Sequence, residues 1–235
     1  MSPASKGNCA FEFCGRGCCQ RCKAQHAPVV FFMHVIKTGG SSIECAATDL
    51  VASGKWVNMG HQMNHSDVDY CIDKCTFDGK RPIVVMSIRN PYAYYTSLYK
   101  YAYAGAMFPS TRLPFASFMD HYVFHVAPTP RAHRKYAQSE FIQHACGSPC
   151  RFDHLLHTET LDQDWEKLNR SEGLNLPRQM PVVNAAQFVR GVPPLITFTR
   201  SILQRINQID SILFDEFNYT RRTEPFDVSA NGSMA

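Results

Sequence analysis

The stretch from Val29 to Glu44 constrains the fold of this chain more than any other part of its sequence. It reads VVFFMHVIKTGGSSIE, an apolar and β-branched run that breaks into a Gly-Gly turn before helical spacing resumes. This pattern predicts a buried strand, a tight turn and the first turn of a helix. Such a turn leaves backbone N–H groups unpaired at the positive end of the helix, so it is suited to an anion, with phosphate as the obvious ligand.

The position of Lys37 distinguishes this turn from a Walker A loop. A Walker A loop has the pattern G-x-x-x-x-G-K-[ST], in which the lysine follows the glycines. Lys37 instead precedes Gly39 and Gly40. A plain strand-to-helix connection is the alternative, because short Gly/Ser turns are common after strands.

Length and composition limit the class of protein. A chain of 235 residues with 45% hydrophobic content fits one domain with a single substantial core. The net charge of +4 suits an anionic ligand and falls short of a nucleic-acid-binding signature, so no nucleic-acid partner is expected. No run approaches the roughly 18 apolar residues that cross a bilayer, and we expect no transmembrane segment in this chain.

The cysteines and the termini divide the chain into three parts. Five of the ten cysteines lie before residue 27 among Gly, Arg and Lys. We therefore predict a cysteine-rich appendage (1–27), a folded domain (28–222) and a C-terminal tail (223–235). Cys19 and Cys22 have the spacing of a zinc knuckle, but a matching second pair is missing, so disulfides, lipidation or disorder are alternatives and no metal site is predicted.

Further strands and helices alternate along the domain. We predict strands at Lys55–Gly60, Pro82–Ile88 and Phe152–Thr158, a loop at Asn64–Lys80, and helices at Pro91–Ala104, Leu113–Phe124, Tyr136–Cys146, Leu161–Asn169 and Ser201–Phe214. This order predicts an α/β fold with an open parallel sheet flanked by helices. Ligands of such sheets bind at the carboxyl ends of the strands, where Lys37, His61 and Arg89 fall.

Two motifs in combination resemble those of a known enzyme family. K-T-G-G-S-S after a strand is similar to the 5′-phosphosulfate loop of sulfotransferases that use 3′-phosphoadenosine 5′-phosphosulfate (PAPS), and R-N-P-Y-A-Y-Y-T-S resembles their 3′-phosphate motif. The likeness runs from about Val29 to Tyr219 and points to the carbohydrate, heparan-sulfate-type branch. It implies a three-layer P-loop-NTPase-like sheet, PAPS as co-substrate, and no required metal.

The resemblance also implies roles for individual residues. Arg89 and Ser97 would bind the 3′-phosphate, and Lys37 would both bind the 5′-phosphosulfate and act in catalysis. Gly60-His61 resembles the family's Gly-His, which makes His61 the predicted base, with Glu44 as its main rival. Glu159 and Asn184 match softer motifs and are expected to shape the site. The 5′-phosphosulfate loop would comprise Lys37, Thr38, Gly39, Gly40, Ser41 and Ser42.

The expected activity is transfer of the PAPS sulfonate to a hydroxyl-bearing acceptor, a glycan by resemblance. A basic lip (Arg112, Arg131, Arg134, Lys135) and a wall of tyrosines in the helix after Arg89 could contact that acceptor, although charged surfaces and core packing are the alternatives for each. A catalytically inactive nucleotide-binding protein on the same scaffold and a P-loop kinase are the rival functions.

The sequence leaves two cellular compartments as alternatives for this protein. Ten cysteines and the four sequons at Asn64, Asn169, Asn218 and Asn231 favour a lumenal setting, and the family resemblance implies the Golgi. The lack of an N-terminal anchor pattern favours the cytoplasm if the chain is complete as written.

Overall fold

The structure, a computed structural model, describes residues 29–58, 65–76, 79–103, 112–125, 136–146, 151–181 and 195–229. The predicted appendage at 1–27, His61 and Asn184 lie outside these ranges. In chain order the elements are β1 (Val30–Met33), α1 (Gly40–Ala46), α2 (Thr48–Ala52), β2 (Trp56–Asn58), α3 (His65–Lys74), β3 (Ile83–Ile88), α4 (Pro91–Tyr103), α5 (Phe115–Phe118) with a π-helical continuation (Met119–Phe124), α6 (Gln138–Cys146), β4 (His154–His157) with a 3₁₀ turn (Thr158–Thr160), α7 (Leu161–Glu172), β5 (Leu195–Phe198), α8 (Arg200–Ile209), α9 (Ser211–Asp215) and β6 (Phe226–Ser229).

Four of the strands form a parallel sheet in the order β2-β1-β3-β4. Every residue of β1 is buried, as expected for a central strand that pairs with a neighbour on each side. The chain leaves β1 toward β2 on one side, whereas it leaves β3 toward β4 on the other. The sheet therefore changes direction between β1 and β3, and the crevice beyond their carboxyl ends is the favoured ligand site of such a fold.

Helices pack on both faces of this sheet because the strand side chains alternate. Phe31 and Met33 point into one apolar cluster, which α3 and α6 cover. Val30 and Phe32 point into the opposite cluster, with Ile43 of α1 and Trp165 of α7. The predicted α/β fold with a parallel sheet flanked by helices is confirmed.

A second, aromatic core surrounds α4. Nine of its 13 residues are buried, among them four tyrosines. These rings pack against α5, α8 and the antiparallel pair β5 and β6. The strand β6 (Phe226–Ser229) belongs to the segment assigned to the tail, so this part of 223–235 packs on the folded domain. This second core fixes α4 beside the carboxyl end of β3.

Two predicted elements differ from the structure. The loop prediction for Asn64–Lys80 was wrong over His65–Lys74, which forms α3. Val68, Cys71 and Cys75 recur at helical spacing on its buried face, and the intervening aspartates hid that stripe. The single helix predicted at Ser201–Phe214 is instead α8 and α9, interrupted at Asp210.

Asp210 explains that interruption. Its buried carboxylate accepts hydrogen bonds from the Tyr95 hydroxyl at 2.6 Å and from the Ser139 N–H at 2.9 Å. A buried carboxylate needs such partners, so the chain turns where they are available. Within the described ranges, every helix falls short of the length and apolarity that crossing a bilayer requires.

Candidate functional site

The turn after β1 and the junction after β3 meet in the crevice at the carboxyl edge of the sheet. Arg89 Nη1 donates a hydrogen bond to the Lys37 carbonyl oxygen at 3.2 Å, across 52 residues of sequence. Lys37 itself has a φ of 61°, a left-handed conformation that non-glycine residues rarely adopt. The two motifs that the sequence singled out are therefore parts of one site.

Gly39 and Gly40 shape the turn for different reasons. Gly39 has a φ of 83°, which glycine adopts without steric cost. Gly40 lies against the imidazole of His34, where a Cβ atom would come within 2.0 Å of Nε2. The ladder of α1 begins with the N–H groups of Ser42 and Ile43, which both donate to the Gly39 carbonyl. The N–H groups of residues 38 to 41 precede these hydrogen bonds and are not part of the helical ladder. Among the residues of the phosphate loop, Ser42 donates its N–H to that ladder.

The Thr38 hydroxyl holds the turn to the sheet. Thr38 is fully buried, and its Oγ1 donates to the Val35 carbonyl at 2.6 Å. It also lies 2.6 Å from the Ser87 hydroxyl on β3, which donates to it because the single Thr38 proton is used by the Val35 carbonyl. These two hydrogen bonds join the turn to β3, and Thr38 remains a predicted residue of the 5′-phosphosulfate loop. The Ser41 and Ser42 side chains are half-buried at the rim of the turn.

A buried polar cluster lies beneath the turn. Glu44 is 6% exposed and accepts a hydrogen bond from the Asn58 amide at the end of β2. His34 Nδ1 lies 3.0 Å from the same Glu44 oxygen. Glu44 Oε2 is buried and has no hydrogen-bond partner among the described residues. These contacts place the Glu44 carboxylate under the turn, among groups that orient it.

The junction after β3 is held by the side chain of Gln138 from α6 and by the side chain of its own Asn90. Gln138, which is fully buried, accepts from the Arg89 N–H and donates to the Arg89 carbonyl, each at 2.7 Å. Asn90 Oδ1 accepts from the N–H groups of Tyr92 and Ala93 and so caps α4, with Pro91 at its first position. The backbone of Arg89 is consequently fixed without help from its guanidinium.

Glu159 ties β4 to the same junction. One of its oxygens accepts from the Asn90 N–H at 2.8 Å, and the other accepts from the Tyr219 hydroxyl at 3.0 Å. Burial lowers the pKa of Arg89, whereas Glu159 and Tyr219 favour its charged form. Arg89 Nε is buried and has no hydrogen-bond partner among the described residues. The guanidinium therefore has donor capacity left for a ligand.

Three cations share this crevice. Burial, followed by repulsion from Arg89, lowers the pKa of Lys37 to about 8. Burial, again followed by repulsion from Arg89, lowers the pKa of Lys100 on α4. Like charges held together in a partly dry crevice cost free energy that a bound anion relieves. The electrostatics of the site thus favour a polyanion.

A half-buried stripe of α4, formed by Ser97, Lys100 and Tyr101, faces the turn. Ser97, Lys100 and Tyr101 are half-buried, whereas the residues of α4 before Ser97 are buried. They lie three and four residues apart and so share one helix face. The ammonium of Lys37 lies 4.1 Å from the centre of the Tyr101 ring, within the range of a cation–π contact. That contact brings the stripe of α4 to the turn after β1.

Most residues predicted for the site lie in this crevice. Lys37, Gly39, Gly40 and Arg89 meet there, and Ser97 lies on the facing stripe. Glu159 contacts the junction. Of the proposed basic lip, Arg112 is exposed and the other three residues lie outside the described ranges, as His61 and Asn184 do. Of the tyrosine wall, Tyr92, Tyr94, Tyr95 and Tyr99 belong to the aromatic core.

Sequence reasoning missed several residues of the site. Gln138 belongs to no local motif, and its partner Arg89 is 49 residues away in sequence. His34 lies within an apolar run, which gives no sign of a polar role. Lys100 could have been found, because it follows Ser97 by one helical turn.

Cys45, Cys71 and Cys75 are disulfide-bonded. The described residues contain no group of three or more His, Cys, Asp or Glu placed to hold a metal ion.

Comparison of the chain with protein-family models, with curated proteins and with solved structures finds no match in any of the three.

Proposed function

We propose that this protein is a PAPS-dependent sulfotransferase that transfers a sulfonate to an acceptor hydroxyl, on a carbohydrate by its resemblance to that branch of the family. Its sheet would be the three-layer, P-loop-NTPase-like form of the α/β fold, with the phosphate turn after the central strand β1. The proposal joins the two sequence motifs to the crevice in which they meet.

The observation that supports the proposal most is the contact between the motifs. Arg89 Nη1 donates to the Lys37 carbonyl, so the residue predicted for the 3′-phosphate adjoins the residue predicted for the 5′-phosphosulfate. A plain strand-to-helix connection does not require a second cation there, nor the left-handed backbone of Lys37.

The chemistry of the donors suits a nucleotide with two anionic groups. The turn offers backbone N–H groups and the Lys37 ammonium, which suit the 5′-phosphosulfate. The junction offers the Arg89 guanidinium, with a buried Nε still unpartnered, and the Ser97 hydroxyl for the 3′-phosphate. The hydrogen bond from Arg89 to the Lys37 carbonyl brings the two sets of donors together.

In the proposed reaction, the acceptor oxygen forms a bond to sulfur as the bond from sulfur to the 5′-phosphate oxygen breaks. The acceptor proton passes to a base, and the electron pair of the broken bond stays on the phosphate of 3′,5′-adenosine bisphosphate. Lys37 would stabilise the charge that grows on that oxygen, which is stabilisation aimed at the transition state. No metal is needed for this step.

His61 remains the proposed base. Its rival Glu44 is buried and hydrogen-bonded by Asn58, which suits a carboxylate that positions other groups rather than one that meets an acceptor. If His61 is the base, His61→Ala abolishes transfer and leaves nucleotide binding intact. If Glu44 is the base, Glu44→Gln does so instead.

An oxidising compartment such as the Golgi lumen fits the proposal. Cys45, Cys71 and Cys75 are disulfide-bonded, which is typical of proteins that fold outside the cytosol. Of the sequons, Asn218 is exposed, whereas Asn169 exchanges two hydrogen bonds with the backbone of Leu176. We therefore expect a glycan at Asn218 sooner than at Asn169.

Transfer of labelled sulfonate from PAPS to a panel of glycan and small-molecule acceptors tests the function. We expect transfer that persists in EDTA and falls by about a hundredfold or more in Lys37→Ala. Lys167→Ala, which removes an exposed lysine from α7, is the matched control and should transfer normally. Activity that requires Mg²⁺ and ATP would instead indicate a kinase, and nucleotide binding without transfer to any acceptor would indicate the inactive binding protein.

A further inference from the structure

Lys100 is the cation of the crevice that neither phosphate motif contains. It lies in the last turn of α4, half-buried, one helical turn after Ser97 and next to Tyr101. Lys100 and Tyr101 lie three and four residues after Ser97 on one side of α4, and Tyr101 contacts the ammonium of Lys37, so this side of the helix looks onto the crevice. Lys100 is thus on the ligand side of the helix and not on an outer surface.

Lys37 and Lys100 both lie within the electrostatic reach of Arg89, whose repulsion lowers the pKa of each lysine after the larger effect of burial. Lys37 belongs to the glycine turn, whereas Lys100 follows Ser97 by one helical turn on α4.

This arrangement offers two positive charges and a hydroxyl at one place. A phosphate monoester carries between one and two negative charges near neutral pH, since its second pKa is about 6. Arg89 alone would leave part of that charge unneutralised. A second cation one helical turn after Ser97 completes the match, whereas a ligand without a 3′-phosphate would leave the repulsion between Arg89 and Lys100 unrelieved.

We propose that Lys100 binds the 3′-phosphate of the nucleotide together with Arg89 and Ser97, as a cationic ligand that neither phosphate motif contains. This inference rests on the proposed function and adds a binding residue to it. Lys100 contributes no group to the sulfonate transfer itself.

The test is calorimetric titration of the full chain with 3′,5′-adenosine bisphosphate and, separately, with 5′-AMP. A charge-assisted hydrogen bond corresponds to about a tenfold change in affinity or more. We therefore expect Lys100→Ala and Lys100→Gln to weaken bisphosphate binding by about tenfold, with 5′-AMP binding changed less than about twofold. Lys100→Arg should retain most of the bisphosphate affinity, because it keeps the charge.

Lys74→Ala is the matched control, since Lys74 occupies the last turn of α3 as Lys100 does that of α4. It should bind both nucleotides as the wild type does. Equal affinities of Lys100→Gln and wild type for the bisphosphate would overturn the inference, as would an equal loss for both nucleotides. A wild-type protein that binds neither nucleotide would overturn the proposed function itself, and the inference with it.

Discussion

The two halves of the crevice are built on different principles. The turn after β1 is formed by backbone and glycine and is braced by short buried side chains such as Thr38. The junction after β3 presents long charged side chains on a backbone that Gln138 and Glu159 hold in place. A half made of backbone should respond to changes of shape, and a half made of side chains should respond to changes of charge.

Crowding the turn should have the largest effect. In Gly40→Ala the new Cβ would come within 2.0 Å of His34 Nε2. The ring has little freedom to move, because it stacks on Phe32 and faces Glu44. We expect nucleotide affinity to fall by more than a hundredfold and the free energy of unfolding to fall by about 1–3 kcal/mol, as measured by calorimetry and urea denaturation.

The double variant Gly40→Ala with His34→Ala is the control for that prediction. Removing the ring opens the space that the methyl group needs, so part of the lost affinity should return. If the double variant binds no better than Gly40→Ala, the steric account of the turn is contradicted.

Replacing the guanidinium of Arg89 by an ammonium should weaken nucleotide binding at the other half of the crevice, the junction after β3. Arg89→Lys keeps the positive charge but loses the forked guanidinium and the hydrogen bond to the Lys37 carbonyl. We expect the affinity for 3′,5′-adenosine bisphosphate to fall by about tenfold or more, with little loss of stability, because Gln138 holds the backbone of residue 89.

Arg81→Lys is the matched control at the other end of the same strand. Arg81 precedes β3 and forms an exposed ion pair with Asp153, so its replacement should leave the affinity unchanged. If the two lysine variants bind alike, Arg89 is not a ligand of the nucleotide.

The pH dependence of nucleotide affinity should separate the contribution of the Lys37 charge from that of the backbone N–H groups. The pKa of Lys37 is lowered to about 8, so its ammonium is charged at pH 7 and mostly neutral at pH 9. Only the charged form attracts an anion, and affinity should therefore fall several-fold as the pH rises from 7 to 9. Lys37→Arg, whose side chain stays charged, should show a shallower fall in the same titration. An equal pH dependence in both proteins would contradict the role of Lys37.

The smallest effect on binding is expected at Thr38. In Thr38→Val the buried hydroxyl is lost and its partners, the Val35 carbonyl and Ser87, lose a hydrogen bond. We expect the free energy of unfolding to fall by about 1–3 kcal/mol, while the folded protein keeps its nucleotide affinity within about threefold. Thr48→Val, which removes an exposed hydroxyl from α2, should change neither quantity much. A large loss of affinity with unchanged stability would indicate instead that the Thr38 hydroxyl binds the phosphate.

The sequence pattern predicted the half of the crevice that a short, continuous segment forms, namely the turn after β1. The apolar run, the glycines and the position of Lys37 specify a strand, a turn and a helix within 16 residues, and the structure has them there. Arg89 followed from the same reasoning, because a polar residue after a buried strand falls at the edge of the sheet.

The rest depends on contacts between distant parts of the chain. Gln138 reaches Arg89 across 49 residues, and β5 pairs with β6, which begins more than 25 residues after β5 ends. The role of Gly40 follows from the ring of His34, which the sequence shows only as one more residue in an apolar strand. Such pairings leave no periodic signal in either partner.

The central claim is that both halves hold one ligand through two separate phosphates. Calorimetric titration of the wild-type chain with 3′,5′-adenosine bisphosphate, 5′-AMP and 3′-AMP tests it most directly. We predict that the bisphosphate binds about tenfold tighter or more than either monophosphate, because each half supplies charge-assisted hydrogen bonds of its own. A bisphosphate that binds no tighter than one of the monophosphates would show that a single half makes the site, and would contradict the account.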